Sequence, residues 1–103
     1  MKYLMSWTYR MDGSVRDNEA SVQRALDLFA KWSPSQTATI HQFVQRLDSA
    51  GGFAVVESEN PADLAEATAK FSTIADYTLY PVIDIDESVA ILQQGIDFRE
   101  SVQ

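Results

Sequence analysis

The chain has no cysteine, so disulfides, thiolate nucleophiles and thiolate metal sites are all absent from its chemistry. It has one histidine, His41, and a lone imidazole without carboxylates clustered around it does not make a metal site. Glycine is scarce. None of the four opens a phosphate-cradling loop or a dinucleotide fingerprint, and there is no nucleophile elbow. No cofactor is expected. No run of residues approaches the roughly 20 apolar positions needed to span a bilayer. The opening Met1–Met5 is broken by Ser6 and Thr8 and reaches Arg10 without an apolar stretch of leader length. Basic residues are outnumbered, 8 against 15 acidic ones, for a net charge of −7. A surface of that sign repels phosphate, which argues against nucleic acid and anionic membranes as partners. A cytoplasmic protein is the expectation.

What is present is an ordinary globular composition, 46% apolar and 22% charged over 103 residues, which predicts one domain spanning residues 1–103. Residues 2–10 alternate, with Tyr3, Met5, Trp7 and Tyr9 on one side, and predict a strand. A polar loop follows over 11–17, with Asp17 or Asn18 placed to cap a helix over 18–32. That helix carries an apolar stripe of Val22, Ala25, Leu26, Phe29 and Trp32 and stops at Ser33-Pro34-Ser35.

Thr37 to Leu47 predicts a second strand. The turn at Asp48–Gly52 has glycines available for positive φ, and Phe53–Glu57 predicts a third strand, apolar on both parities. Asn60 and Pro61 open a second helix over 61–71. Tyr77–Ile83 predicts a fourth strand whose Pro81 points to an edge or a strand end. Asp84 or Asp86 caps a last helix carrying Ile85, Val89, Leu92 and Ile96, weakened near its end by Gly95.

The order βαββαβα predicts an α+β fold, the ferredoxin-like plait plus a C-terminal helix, with a four-stranded antiparallel sheet in the order 4-1-3-2. Two helices cover one face of such a sheet. The apolar residues left on the other face predict a homodimer.

Met1-Lys-Tyr-Leu-Met-Ser-Trp-Thr-Tyr-Arg10, Trp32-Ser-Pro34, His41-Gln-Phe-Val44, Gly51-Gly-Phe-Ala-Val-Val-Glu57 and Tyr80-Pro-Val-Ile-Asp-Ile85 together resemble the domain of unknown function family 3303. The resemblance spans nearly the whole chain. It implies membership of the dimeric α+β barrel superfamily, whose plaits pair sheet to sheet and whose members include small cofactor-free monooxygenases and isomerases. It brings no catalytic motif, because this fold hosts many chemistries.

The candidate ligand-binding residues are His41, Glu57, Trp7, Tyr9, Arg10, Tyr77 and Tyr80. His41 has the one side chain whose ordinary titration falls near neutrality, which suits a general base or a ligand donor; the alternative is a strand histidine simply held by a hydrogen bond. Glu57 ends an apolar strand, where burial would raise its pKa; the alternative is a surface pair with Lys2 or water. Whether the two meet depends on the hairpin register, and the turn allows either face. Trp7, Tyr9, Tyr77 and Tyr80, with Arg10, would line a pocket for a flat organic ligand, unless they are plain core and dimer interface. Two functions follow. One is a binding or interaction module for a small organic ligand or a partner. The other is a cofactor-independent oxygenase or isomerase with His41 as general base and the aromatic group as the substrate wall, a reading that a helix-side pocket holding His41 and a tyrosine hydroxyl would favour.

Overall fold

A computed structural model describes residues 1–11 and 13–102. Asp12, in the expected first loop, and Gln103 lie outside the described residues. The elements are β1 (Lys2–Tyr9), α1 (Val15–Lys31), β2 (Ala38–Gln45), β3 (Gly51–Ser58), α2 (Pro61–Phe71), β4 (Ala75–Val82) and α3 (Ile85–Ser101). All strand pairs are antiparallel, and the sheet order is β2-β3-β1-β4. This is the expected α+β plait, with α3 following it.

The first helix begins earlier than its apolar periodicity suggests. Ser14, rather than Asp17 or Asn18, is the N-cap: its Oγ accepts from the Asp17 amide at 3.1 Å, and Asp17 Oδ2 accepts from the Ser14 amide at 3.4 Å. Ser14-x-x-Asp17 is thus a capping box, which satisfies two otherwise orphaned amides and moves the start to Val15. Asn60 and Pro61 open α2 as expected, with Asn60 Oδ1 accepting from Ala62 at 3.1 Å. Pro81 lies on β4, an edge strand that pairs with β1 alone, where its missing N–H breaks no second ladder.

The core lies between the helices and one face of the sheet. Met5, Trp7, Ala54, Val56 and Ala75 come from the strands, and Ala25, Leu64 and Phe71 from the helices. Leu28, Phe29 and Trp32 complete the packing from the α1 side, whereas Leu26, expected in the stripe, is 58% exposed. Phe29 stacks on Phe71 at 4.6 Å between centroids, and Trp7 tilts against Phe43 at 5.4 Å. Such ring pairs contribute about 0.5–1.5 kcal/mol beyond their buried area.

Gly51 and Gly52 are not turn glycines. They begin β3, and the positive φ of the turn is taken by Ser49, at 63°. What requires Gly52 is a close approach: a Cβ there would stand 2.4 Å from the Trp7 ring and 2.5 Å from the Val44 carbonyl oxygen. The indole lies where a side chain would otherwise be.

The last helix departs from the plait. No residue of α3 is buried, and Ile85, Leu92 and Phe98 are well exposed. The molecule extends 64 × 31 × 20 Å with a radius of gyration of 18.3 Å. A compact chain of this length has a radius near 13 Å. A helix of 17 residues is about 26 Å long, and its projection accounts for much of that long axis.

Gly52→Ala should lower stability by about 1–3 kcal/mol, the usual cost of overpacking. It should appear as a reduced urea midpoint with an unchanged denaturant slope. An unchanged midpoint would show that Trp7 does not depend on the missing side chain.

Candidate functional site

A register change decides where the histidine goes. Ile40 pairs with Val56 but Gln42 pairs with Val55, so His41 is the extra residue of a β-bulge. The bulge resets the alternation of β2. Ala38, Ile40 and Phe43 all pack toward the helices, while His41 is left on the open face of the sheet with Glu57.

His41 Nε2 and Glu57 Oε1 are 2.8 Å apart, and both side chains are nearly half exposed. The hydrogen bond from His41 holds the Glu57 carboxyl below its ordinary value of 4.5, with weaker help from Lys2. The pKa rise that burial would have given Glu57 is not found, because this face of the sheet is uncovered. Its partner is also not the expected Lys2. Lys2 Nζ instead bonds Asp84 Oδ1 at 2.6 Å, which lowers the Asp84 pKa and raises that of Lys2. His41, Glu57, Lys2 and Asp84 thus form a row of polar groups across one end of the open face.

The aromatic candidates do not join that row. Trp7 and Tyr77 are paired across β1 and β4 on the helix side, with centroids 6.3 Å apart. Trp7 is 4% exposed and belongs to the core, where it shares with Tyr77 and Phe29 only a small cavity of about 30 Å³. Its Nε1 is buried without an acceptor among the described residues. Burial, with a smaller contribution from Tyr9, pushes the Tyr77 hydroxyl up to about 12, so it stays protonated at neutral pH. Tyr80 pairs with Leu4 on the open face and is 54% exposed. The four aromatic residues therefore divide between two faces, and none of the cavities formed by the described residues that hold Tyr9 or Tyr77 is lined by His41.

Tyr9 and Arg10 do line a cavity. It has a volume of about 290 Å³ and lies at the end of the helix face, walled by Tyr9, Arg10, Leu26, Phe29, Gln45 and Ile74. The Tyr9 hydroxyl donates to Gln45 Oε1 at 3.4 Å, and Arg10 is held on Asp76 Oδ1 by Nε and Nη2 at 2.8 and 2.6 Å. Phe29 and Gln45 were not candidates from the sequence; helical spacing marks Phe29 as core, and no motif marks Gln45. Among the described residues, no group of three or more His, Asp or Glu side chains is placed to hold a metal ion. No helix is long and apolar enough to cross a membrane among the described residues.

The profile of the family described as Domain of unknown function (DUF3303) matches residues 1–96. No curated protein matches the chain.

Glu57, Asp63 and Asp84 all have folded pKa values below their ordinary ones, through His41, Thr37 and Lys2 respectively as the main causes. Each therefore contributes stability that is complete above its unfolded value and lost as pH falls through its folded value. The urea midpoint should hold from about pH 7 to 5 and fall toward pH 3. Glu57→Gln should reduce the fall, because the group that titrates is gone. An equal fall in the variant would mean that the His41 contact does not act on stability.

Proposed function

The chain belongs to the Domain of unknown function (DUF3303) family, and within it we propose that this protein is a cytoplasmic homodimeric binding module, a non-enzymatic protein whose second copy covers the open sheet face. One observation carries this. The chain exposes 7572 Å², against about 5,800 Å² for a compact protein of its 11.5 kDa. The excess of roughly 1,800 Å² is more than twice the 800 Å² that each partner contributes to a standard interface. Much of it is apolar: Phe53, Tyr80 and Val44 on the sheet and Val89, Leu92 and Phe98 on α3 are each more than two-fifths exposed. An assembly of the dimeric α+β barrel type, with the open faces turned inward, fits this distribution.

The small-organic-ligand part of the proposal rests on the cavity of Tyr9 and Arg10. Its 290 Å³ is near the lower end of the size range of ligand sites, with apolar walls from Phe29 and Leu26 and polar groups from Gln45 and Tyr9. An aromatic molecule bearing a hydrogen-bonding substituent suits it.

The 2.8 Å contact of His41 with Glu57 favours a second function, a cofactor-independent oxygenase or isomerase with His41 as general base. A carboxylate beside an imidazole orients it as such a base requires. It ranks second because, among the described residues, the cavities lined by Trp7, Tyr9 and Tyr77 are not lined by His41.

Light scattering at micromolar concentration should give twice the chain mass of 11.5 kDa, and native mass spectrometry of protein from its own host should show an organic molecule retained by the dimer. A single-chain mass overturns the module. Consumption of a host metabolite by the wild type but not by His41→Gln would establish the enzyme instead.

A further inference from the structure

The open face of the sheet carries an apolar band that runs diagonally over all four strands. Val44 on β2 pairs with Phe53 on β3. Val55, two residues on, pairs with Leu4 on β1, and Leu4 pairs with Tyr80 on β4, with Val82 beyond. Three strand spacings of about 4.8 Å and a shift of about four residues along the strands give this band a length near 20 Å.

α3 presents a matching surface. Ile85, Val89, Leu92 and Ile96 fall along one flank of the helix at three- and four-residue steps, about 17 Å from end to end. Ile91 and Phe98 form a second flank of the same half, with Ser88, Gly95 and Arg99 between the two flanks, and Asp86, Gln93, Asp97 and Glu100 occupy the opposite half. A helix so divided lies on a surface with its polar half outward. Gly95 falls between the flanks. A Cβ there would meet the Arg99 guanidinium at 3.5 Å, an ordinary contact, so among the described residues nothing requires a glycine that costs the helix about 1 kcal/mol. Close approach of another surface would.

Resting on the homodimer reading, but with a helix seated in place of a direct sheet-to-sheet contact, we propose that α3 is an exchanged arm: each copy lays the Ile85–Val89–Leu92–Ile96 flank of its last helix across the diagonal band on the open sheet face of the other. Within the chain α3 does not fold back over its own sheet. Asp84, at its N-cap position, is tied to Lys2 at 2.6 Å, and the helix runs on out of the body. The chain therefore has one unpartnered helix and one unpartnered sheet face of similar length. A two-fold exchange satisfies both at once and leaves neither over, as closed symmetry requires. The excess surface of roughly 1,800 Å² per copy is enough for two such seats in the range of obligate dimers.

The absence of cysteine allows a direct test. Leu92→Cys chains are unfolded and refolded together with Val55→Cys chains and mildly oxidised, with Val22→Cys on α1 as the control partner. A cross-linked heterodimer with Val55→Cys and none with Val22→Cys is expected. Separately, Leu92→Glu combined with Ile96→Glu should raise the dimer dissociation constant roughly 100-fold or more, as loss of two central contacts does. The urea midpoint of the resulting monomeric plait should remain measurable, because no α3 residue is buried within the chain. A monomeric wild type overturns both the homodimer and the arm. A dimeric wild type that stays dimeric with both glutamates, and forms no 92–55 cross-link, overturns the arm alone.

Discussion

A β-sheet has two faces, and this chain has helices for only one of them. That inequality governs the rest of the structure. Most of the strand aromatics are turned toward α1 and α2, with Phe53 and Tyr80 left on the open face, and the layer between becomes a cluster of Trp7, Phe29, Trp32, Phe43, Phe71 and Tyr77. Room for it is made by small residues. Ala54 and Ala75 are buried under the rings, and Gly52 admits the indole itself. The buried layer is thin because the chain is short, and the last 17-residue helix adds nothing to it.

The bulge at His41 is the local expression of the same constraint. Without an extra residue in β2, strict alternation would place Ile40 and Phe43 on opposite faces. Phe43 would leave the Trp7–Phe29 cluster for the open face. Absorbing one residue keeps both Ile40 and Phe43 on the helix side of the sheet, and His41 is the residue displaced. A polar side chain at the bulge suits an open face, and Glu57 on the neighbouring strand gives it a partner. The position of the histidine thus follows from packing on the far side of the sheet.

Much of the fold was legible because it depends on signals local to the chain: period-two alternation in β1, Asn60-Pro61 at the start of α2, and Pro81 on an edge strand. The strand order and the two-helix cover follow from element order alone. The bulge was not legible, since it is set by contacts of Phe43 with residues distant in sequence. Part of the aromatic grouping could have been rejected from the sequence: Tyr77 and Tyr80 are three apart on one strand and must point to opposite faces. The Ser14-x-x-Asp17 box was likewise readable, but apolar periodicity begins later than the helix it caps. Ion-pair choice at Lys2 was not, because Glu57 and Asp84 both lie within its reach and only the bulge gives Glu57 a different partner.

The functional alternatives share a premise in the open face. A general base works best where water is excluded and the imidazole is held, and Glu57 supplies the holding but nothing within the chain supplies the exclusion. A binding module needs its apolar band covered for a different reason, since a patch of this extent left in water invites association. Covering the face changes the surroundings of His41 in either case. It would desolvate the His41–Glu57 pair and strengthen the contact between them. On the proposed homodimer, the surface laid opposite His41 and Glu57 sets whether the pair is a structural tie or a working base.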